Sequence, residues 1–161
     1  MKTVYIETSI ISYLRSRPSA HVVTVARQVL TRRWWDHERG NYQLLISQYV
    51  LDEAARGNEE LAAERLAELS GIPLLDLPAE IPELADRLLG SAVLPANARL
   101  DALHISASAF HCLDYLLTWN CSHIASARLL PRVRAVLQDL GYTLPTVCTP
   151  EEMLDDEQII D

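Results

Sequence analysis

The chain has 161 residues, 49% of them apolar, and a formal net charge of −8. That length suits one domain with a full core, and that apolar fraction excludes a disordered or fibrous chain. No apolar run is long enough to span a bilayer, and the acidic balance argues against broad, charge-driven adhesion to nucleic acid.

TVYI (3–6) reads as a buried strand that ends on Glu7, followed at once by the start of a helix. After Pro18-Ser19, Val22, Val25, Ala26, Val29, Leu30 and Trp34 recur at helical spacing. One of the adjacent Trp34 and Trp35 is expected to point away from the core side and mark an interface, unless both pack under a loop. YQLLIS (42–47) is a second strand. Val50 and Ala54, then Leu61, Leu66 and Leu69, give two helices parted at Gly57-Asn58, with Asn58 as a cap. PLLDL (73–77) reads as a strand, Leu84, Leu88 and Leu89 as a helix, and ARLDALHISASAF (98–110) as a strong helix. DYLLT (114–118) and LPTVC (144–148) are further strands. Between them Ala125 to Leu140 is helical, with an interruption near Pro131 and a stop at Gly141. Thr149-Pro150-Glu151-Glu152 has a capping-box pattern. Strands alternating with helices imply an α/β fold, a parallel sheet covered on both faces, with ligands gathering at the carboxyl ends of the strands. One domain over 1–161 is expected, with 151–161 as an acidic tail.

Residues 1–40 carry seven Lys or Arg against three acids, so this region is a candidate anion-binding surface. Arg15 and Arg17 are candidates to hold phosphates, with ordinary surface charge as the favoured plain reading of both. Three cysteines without CxxC spacing argue against a disulfide framework and for a reducing cytoplasm, and MKTVYIETSI lacks the layout of a secretory signal. Cys112 and Cys121 are expected to be small core residues. A zinc site from His104, His111, Cys112, Cys121 and His123 lacks the usual ligand spacing.

The acids offer a sharper possibility. Glu7 ends the first strand, Asp52 and Glu53 follow the second, Asp101 opens the 98–110 helix, and Asn120 follows DYLLT. Converging carboxylates need a cation, and oxygen ligands suit Mg²⁺ or Mn²⁺. Each residue also has a plain reading: a solvated strand end for Glu7, an exposed helix face for Glu53, a helix-dipole acid for Asp101, a turn for Asn120. His104 reads as a packed histidine, with a substrate contact left open. Asp114 precedes its strand and reads as structural.

YIETSIISYL (5–14), ISQYVLDEAARG (46–57), DALHISASAFHCLDYLLTWNCSHIASA (101–127) and PTVCTPEEML (145–154) resemble the PIN-domain ribonucleases, most of all the VapC-like toxins of type II toxin–antitoxin systems. The resemblance implies a three-layer α/β/α sandwich with a central parallel sheet and metal-dependent endonucleolytic hydrolysis of RNA. It matches Glu7, Glu53 and Asp101 to the family's acidic metal ligands and Asn120 to its fourth position. Thr8 and Ser9, or Thr118, would add hydroxyls to the metal's water shell. A small antitoxin protein is the implied partner, and homodimerisation is a further expectation. The family more usually has Asp where this chain has Glu7. A non-catalytic PIN-like module that binds protein or RNA through a degenerate site is the alternative, and a DNA flap nuclease ranks last.

Overall fold

The computed structural model describes residues 1–160; Asp161, the end of the expected acidic tail, lies outside the described residues. Four strands, β1 (Thr3–Ile6), β2 (Gln43–Leu45), β3 (Tyr115–Leu117) and β4 (Thr146–Cys148), form one parallel sheet in the order β2-β1-β3-β4. The helices are α1 (Thr8–Leu14), α2 (Val22–His37), α3 (Gln48–Ala54), α4 (Glu59–Leu69), α5 (Glu80–Gly90), α6 (Arg99–Phe110), α7 (Leu130–Asp139) and α8 (Asp156–Ile160). The connection from β1 runs one way along the sheet, to β2, and those from β2 and β3 run the other. Right-handed crossovers therefore lay helices over both faces. Accordingly α1 packs on α2, α3 and α4, while α5 packs on α6 and α7. This is the expected α/β/α sandwich. Val4, Tyr5 and Ile6 have no exposed surface, as a central parallel strand requires. Among the described residues no helix is long and apolar enough to cross a membrane.

Residues 73–77 do not form the expected strand. They contribute one bridge, Ile46 to Leu74, with Leu75 N donating to Ile46 O (2.8 Å). Pro73 and Pro78 lack N–H donors and bound the segment on both sides, which holds it to a single bridge at the sheet edge. Pro131 opens α7 instead of interrupting a longer helix, because its fixed φ suits the first turn. Asn58 caps α4 as expected, accepting from Leu61 N. Gly141, at φ +84°, ends the run after α7 in a conformation that side chains disfavour.

Helix α2 has the expected period, but of the expected stripe only Leu30 and Trp34 pack on the core. Val22, Val23, Val25 and Val29 are exposed, whereas Gln28, Thr31, Trp34 and Trp35 are buried. The polar pair has partners: Gln28 Nε2 donates to Ser16 Oγ (2.7 Å) and Arg17 O (2.8 Å), and Thr31 Oγ1 accepts from Trp119 Nε1 (2.7 Å). Neither Trp34 nor Trp35 is the exposed interface residue expected. Trp35 Nε1 donates to Glu68 Oε1 (2.6 Å), and Arg39 lies 4.8 Å over its ring. Cys112 and Cys121 are exposed and only Cys148 is buried, so the first two are not core residues. Asp114 ties the start of β3 to that of β1, accepting from Lys2 Nζ (2.8 Å), Thr3 N (2.8 Å) and Thr3 Oγ1 (3.0 Å). In the acidic tail, Arg33 Nη1 donates to the carbonyls of Gln158 (2.7 Å) and Ile159 (2.6 Å), which fastens α8 to α2.

Candidate functional site

Glu7 and Thr118 stand where the first and third strands end side by side. Glu7 N donates to Leu117 O (3.1 Å) and Thr118 N to Cys148 O (3.0 Å), so the ladder runs one residue past each strand. Connections leave β1 and β3 in opposite directions here, and that divergence opens a cleft at the carboxyl edge of the sheet. Glu7 is also the N-cap of α1, extended at φ −77° and ψ 153°. Its Oε2 accepts from Ser9 N (3.1 Å), from Ser9 Oγ and from Thr118 Oγ1 (2.7 Å). Ser9 Oγ in turn accepts from Trp119 N (2.8 Å). The side chain is buried, 5% exposed, yet three donors fix one of its oxygens.

Glu53 reaches the same cleft from α3. Its Oε1 accepts from Thr8 Oγ1 (2.8 Å) and meets His104 Nε2 at 2.5 Å. Burial pushes its carboxyl upward, the largest single effect. The His104 hydrogen bond and charge, the Thr8 hydroxyl and Arg56 together outweigh it and hold the group below the ordinary carboxylate value. Asp52 points away, is exposed, and accepts from Gln48 Nε2 (2.8 Å). The choice between the two adjacent acids therefore falls on Glu53.

His104 has no exposed surface, so it meets a substrate only through Glu53. Its Nδ1 is hydrogen-bonded to the Tyr5 hydroxyl (2.7 Å), and that hydroxyl to Ser47 Oγ (2.7 Å). Burial raises the Tyr5 phenol well above its ordinary pKa, which keeps the proton on this chain of contacts. Glu7, Glu53 and His104 each offer one ligand atom, all within 4.8 Å of one another, and could hold a metal ion. Among the described residues Glu7 Oε1 and Glu53 Oε2 receive no protein donor. Two buried or half-buried carboxylates with free oxygens fit a hard divalent cation.

Asp101 belongs to the neighbouring set rather than to this trio. Its Oδ1 accepts from Asn120 Nδ2 (3.0 Å), and its Oδ2 lies 2.9 Å from His123 Nδ1. Asn120 links the two sets, its backbone N donating to Thr118 Oγ1 (2.9 Å) and its Oδ1 accepting from His123 N (3.1 Å).

Two solved structures share this architecture. Mycobacterium tuberculosis VapC20, a sarcin–ricin-loop cleaving toxin, aligns with a TM-score of 0.60 at 18% identity, over 77% of this chain and 95% of its own. A chain of Rickettsia felis VapBC2, a complex bound to a DNA fragment from its promoter, aligns with a TM-score of 0.57 at 15% identity, over 91% and 98%. This chain has the PIN-domain fold of the VapC toxins. The sequence matches no family model and no curated protein. At these identities the likeness carries the fold, so the site rests on the geometry above.

Within the PIN fold, Thr8, Ser9 and Thr118 turn out to hold the two carboxylates directly. Arg15, in contrast, is drawn off by Glu68, with Nη2 to Oε2 at 2.5 Å, and Arg17 is exposed. Sequence reasoning missed the support from Tyr5 and Ser47, and it weighed His123 only as a zinc ligand. The signals were a hydroxyl inside the apolar VYI run and a histidine three residues after Asn120, too slight to read without tertiary context.

Proposed function

We propose that this chain is a divalent-metal-dependent endoribonuclease, acting in the cytoplasm as the toxin of a toxin–antitoxin pair and restrained by a small antitoxin protein. The observation that carries the reading is the approach of Glu7 and Glu53 at the carboxyl edge of a parallel sheet, each with an oxygen free of protein donors. The fold shared with a sarcin–ricin-loop cleaving toxin supports RNA as substrate, and the shared fold of a VapBC2 chain supports an antitoxin. Glu7 and Glu53 would hold Mg²⁺ or Mn²⁺, with Asp101 and Asn120 on the adjoining wall. Such an ion, when bound, activates water and offsets charge on a phosphodiester. Ser9 and Thr118 fix Glu7, Thr8 and His104 fix Glu53, and both acids are thereby kept aimed into the cleft. Asp101, hydrogen-bonded to Asn120 and His123, adds a further carboxylate to that wall.

The test is cleavage of a panel of structured RNAs, a sarcin–ricin-loop hairpin among them, with and without Mn²⁺. Glu7→Gln and Glu53→Gln are expected to lose about a hundredfold or more of the rate, since each removes a charge that would hold the ion. Gln variants as active as the parent would overturn the assignment. RNA binding with no cleavage under any divalent ion would favour the binding-module alternative.

A further inference from the structure

A second feature lies just outside the acid cleft. Arg27, on α2, is half-buried, and its guanidinium sits 5.3 Å from the centre of the Trp119 ring and 5.7 Å from that of Tyr13. The two rings meet edge to face, 6.3 Å apart. Nη1 donates to the Tyr13 hydroxyl (3.2 Å), and Nη2 approaches Cys121 Sγ at 3.8 Å. Trp119 and Cys121 flank Asn120, the residue that contacts Asp101 and Thr118. Among the described residues Arg15, Arg39 and Arg99 have carboxylate partners, whereas Arg27 has none. A guanidinium carries five N–H donors in a rigid fork, and here only two have partners.

We propose that Arg27 is an RNA-phosphate subsite, gripping a backbone phosphate that flanks the one in the acid cleft. Stacking on two rings fixes the fork before a ligand arrives, which lowers the ordering cost of each bond it then makes. A cation is also needed at this point. The cleft beside it is lined by Glu7, Glu53 and Asp101, which repel a polyanion. Sequence reasoning looked to Arg15 and Arg17 for this role, but Arg15 is neutralised by Glu68. The inference rests on the nuclease reading for its substrate, and its test does not depend on cleavage.

A fluorescein-labelled single-stranded RNA of mixed sequence is titrated with the full chain in EDTA by anisotropy, over a NaCl series. Arg27→Met is expected to weaken binding several-fold and to reduce the slope of log Kobs against log salt by about 0.7, the value for one lost phosphate contact on a single strand. Arg27→Lys keeps the charge but not the fork, and should recover the slope while recovering only part of the affinity. Arg32→Met, on the exposed side of α2, removes the same charge and controls for net charge; it should keep the parental slope. Thermal unfolding identifies any variant that misfolds. Equal slopes for Arg27→Met and the parent, or no RNA binding by the parent at all, overturn the subsite. Loss of the slope with no Mn²⁺-dependent cleavage leaves the subsite standing and fails the nuclease reading. Cleavage by a folded Arg27→Met protein with unchanged KM does the reverse.

Discussion

Tyr5→Phe removes one oxygen from the buried run Ser47–Tyr5–His104–Glu53 and leaves the ring volume in place. It strands Ser47 Oγ and His104 Nδ1, which were each 2.7 Å from the lost hydroxyl. Tyr5, Ser47 and His104 have no exposed surface, so water does not take its place. Leaving a buried polar group unpaired costs about 1–3 kcal/mol. The imidazole is held at its far side by Glu53 and cannot swing to a new partner, and a net loss of about 2 kcal/mol is expected. With a urea m-value of about 2 kcal/mol/M for a chain of this size, the unfolding midpoint falls by about 1 M. Ser47→Ala on that background should add less than it does alone, because the stranded hydroxyl goes with it. The same change loosens His104 and with it Glu53, so Mn²⁺ affinity by calorimetry is expected to weaken about tenfold, the scale of outer-shell changes at metal sites. A Tyr5→Phe midpoint within about 0.2 M of the parent, or about 0.4 kcal/mol at that m-value, would refute the claim that this run is a fastening.

Burial, aided by Glu152, pushes the Cys148 thiol from 9.0 up to about 12. The fold thus favours the protonated form. Its contribution is complete below about pH 9 and is lost as pH rises toward about 12, at up to about 1.4 kcal/mol per pH unit. Cys148→Ala should flatten that alkaline decline in urea midpoints. At the acid end, Lys2 and the Thr3 amide and hydroxyl hold Asp114 at about 2, below its ordinary 3.8. Its contribution is present above the ordinary value and fades as pH falls toward about 2, and Asp114→Asn should remove that fade. On α2, Val22→Ser and Val29→Ser are expected to change stability by no more than about 0.5 kcal/mol, because both valines are exposed. Thr31→Val strands the Trp119 indole N–H and should cost about 1–3 kcal/mol by the same denaturation assay.

Local signals fixed what local physics decides. The apolar VYI run formed the central strand, Asn58 capped its helix, and Gly141 ended another. The valine stripe of α2 had helical period, but period does not say which stripe faces inward. That was decided by Gln28, Thr31 and the tryptophan pair finding partners on distant segments. PLLDL had strand composition, yet its prolines left it a bridge. At the site, Glu7 was legible because it terminates a buried strand. The preference for Glu53 over Asp52 was not, since both sit on one short helix and only its packing against α1 and α6 selects between them. Asp101 was placed on the right helix, but its pairing with Asn120 and His123, rather than with the other acids, depends on the turn after β3.

That β1 lies between β2 and β3 has a consequence for synthesis. Thr118, which fixes the Glu7 carboxylate, is added to the growing chain 111 residues after Glu7. At about 5–20 residues per second the interval is on the order of 5–20 seconds. During that time the emerging protein has one side of its first strand unpaired and no finished cleft. Assembly of the acid centre is thereby deferred until the third strand has been made, so timing is written into the order of the strands.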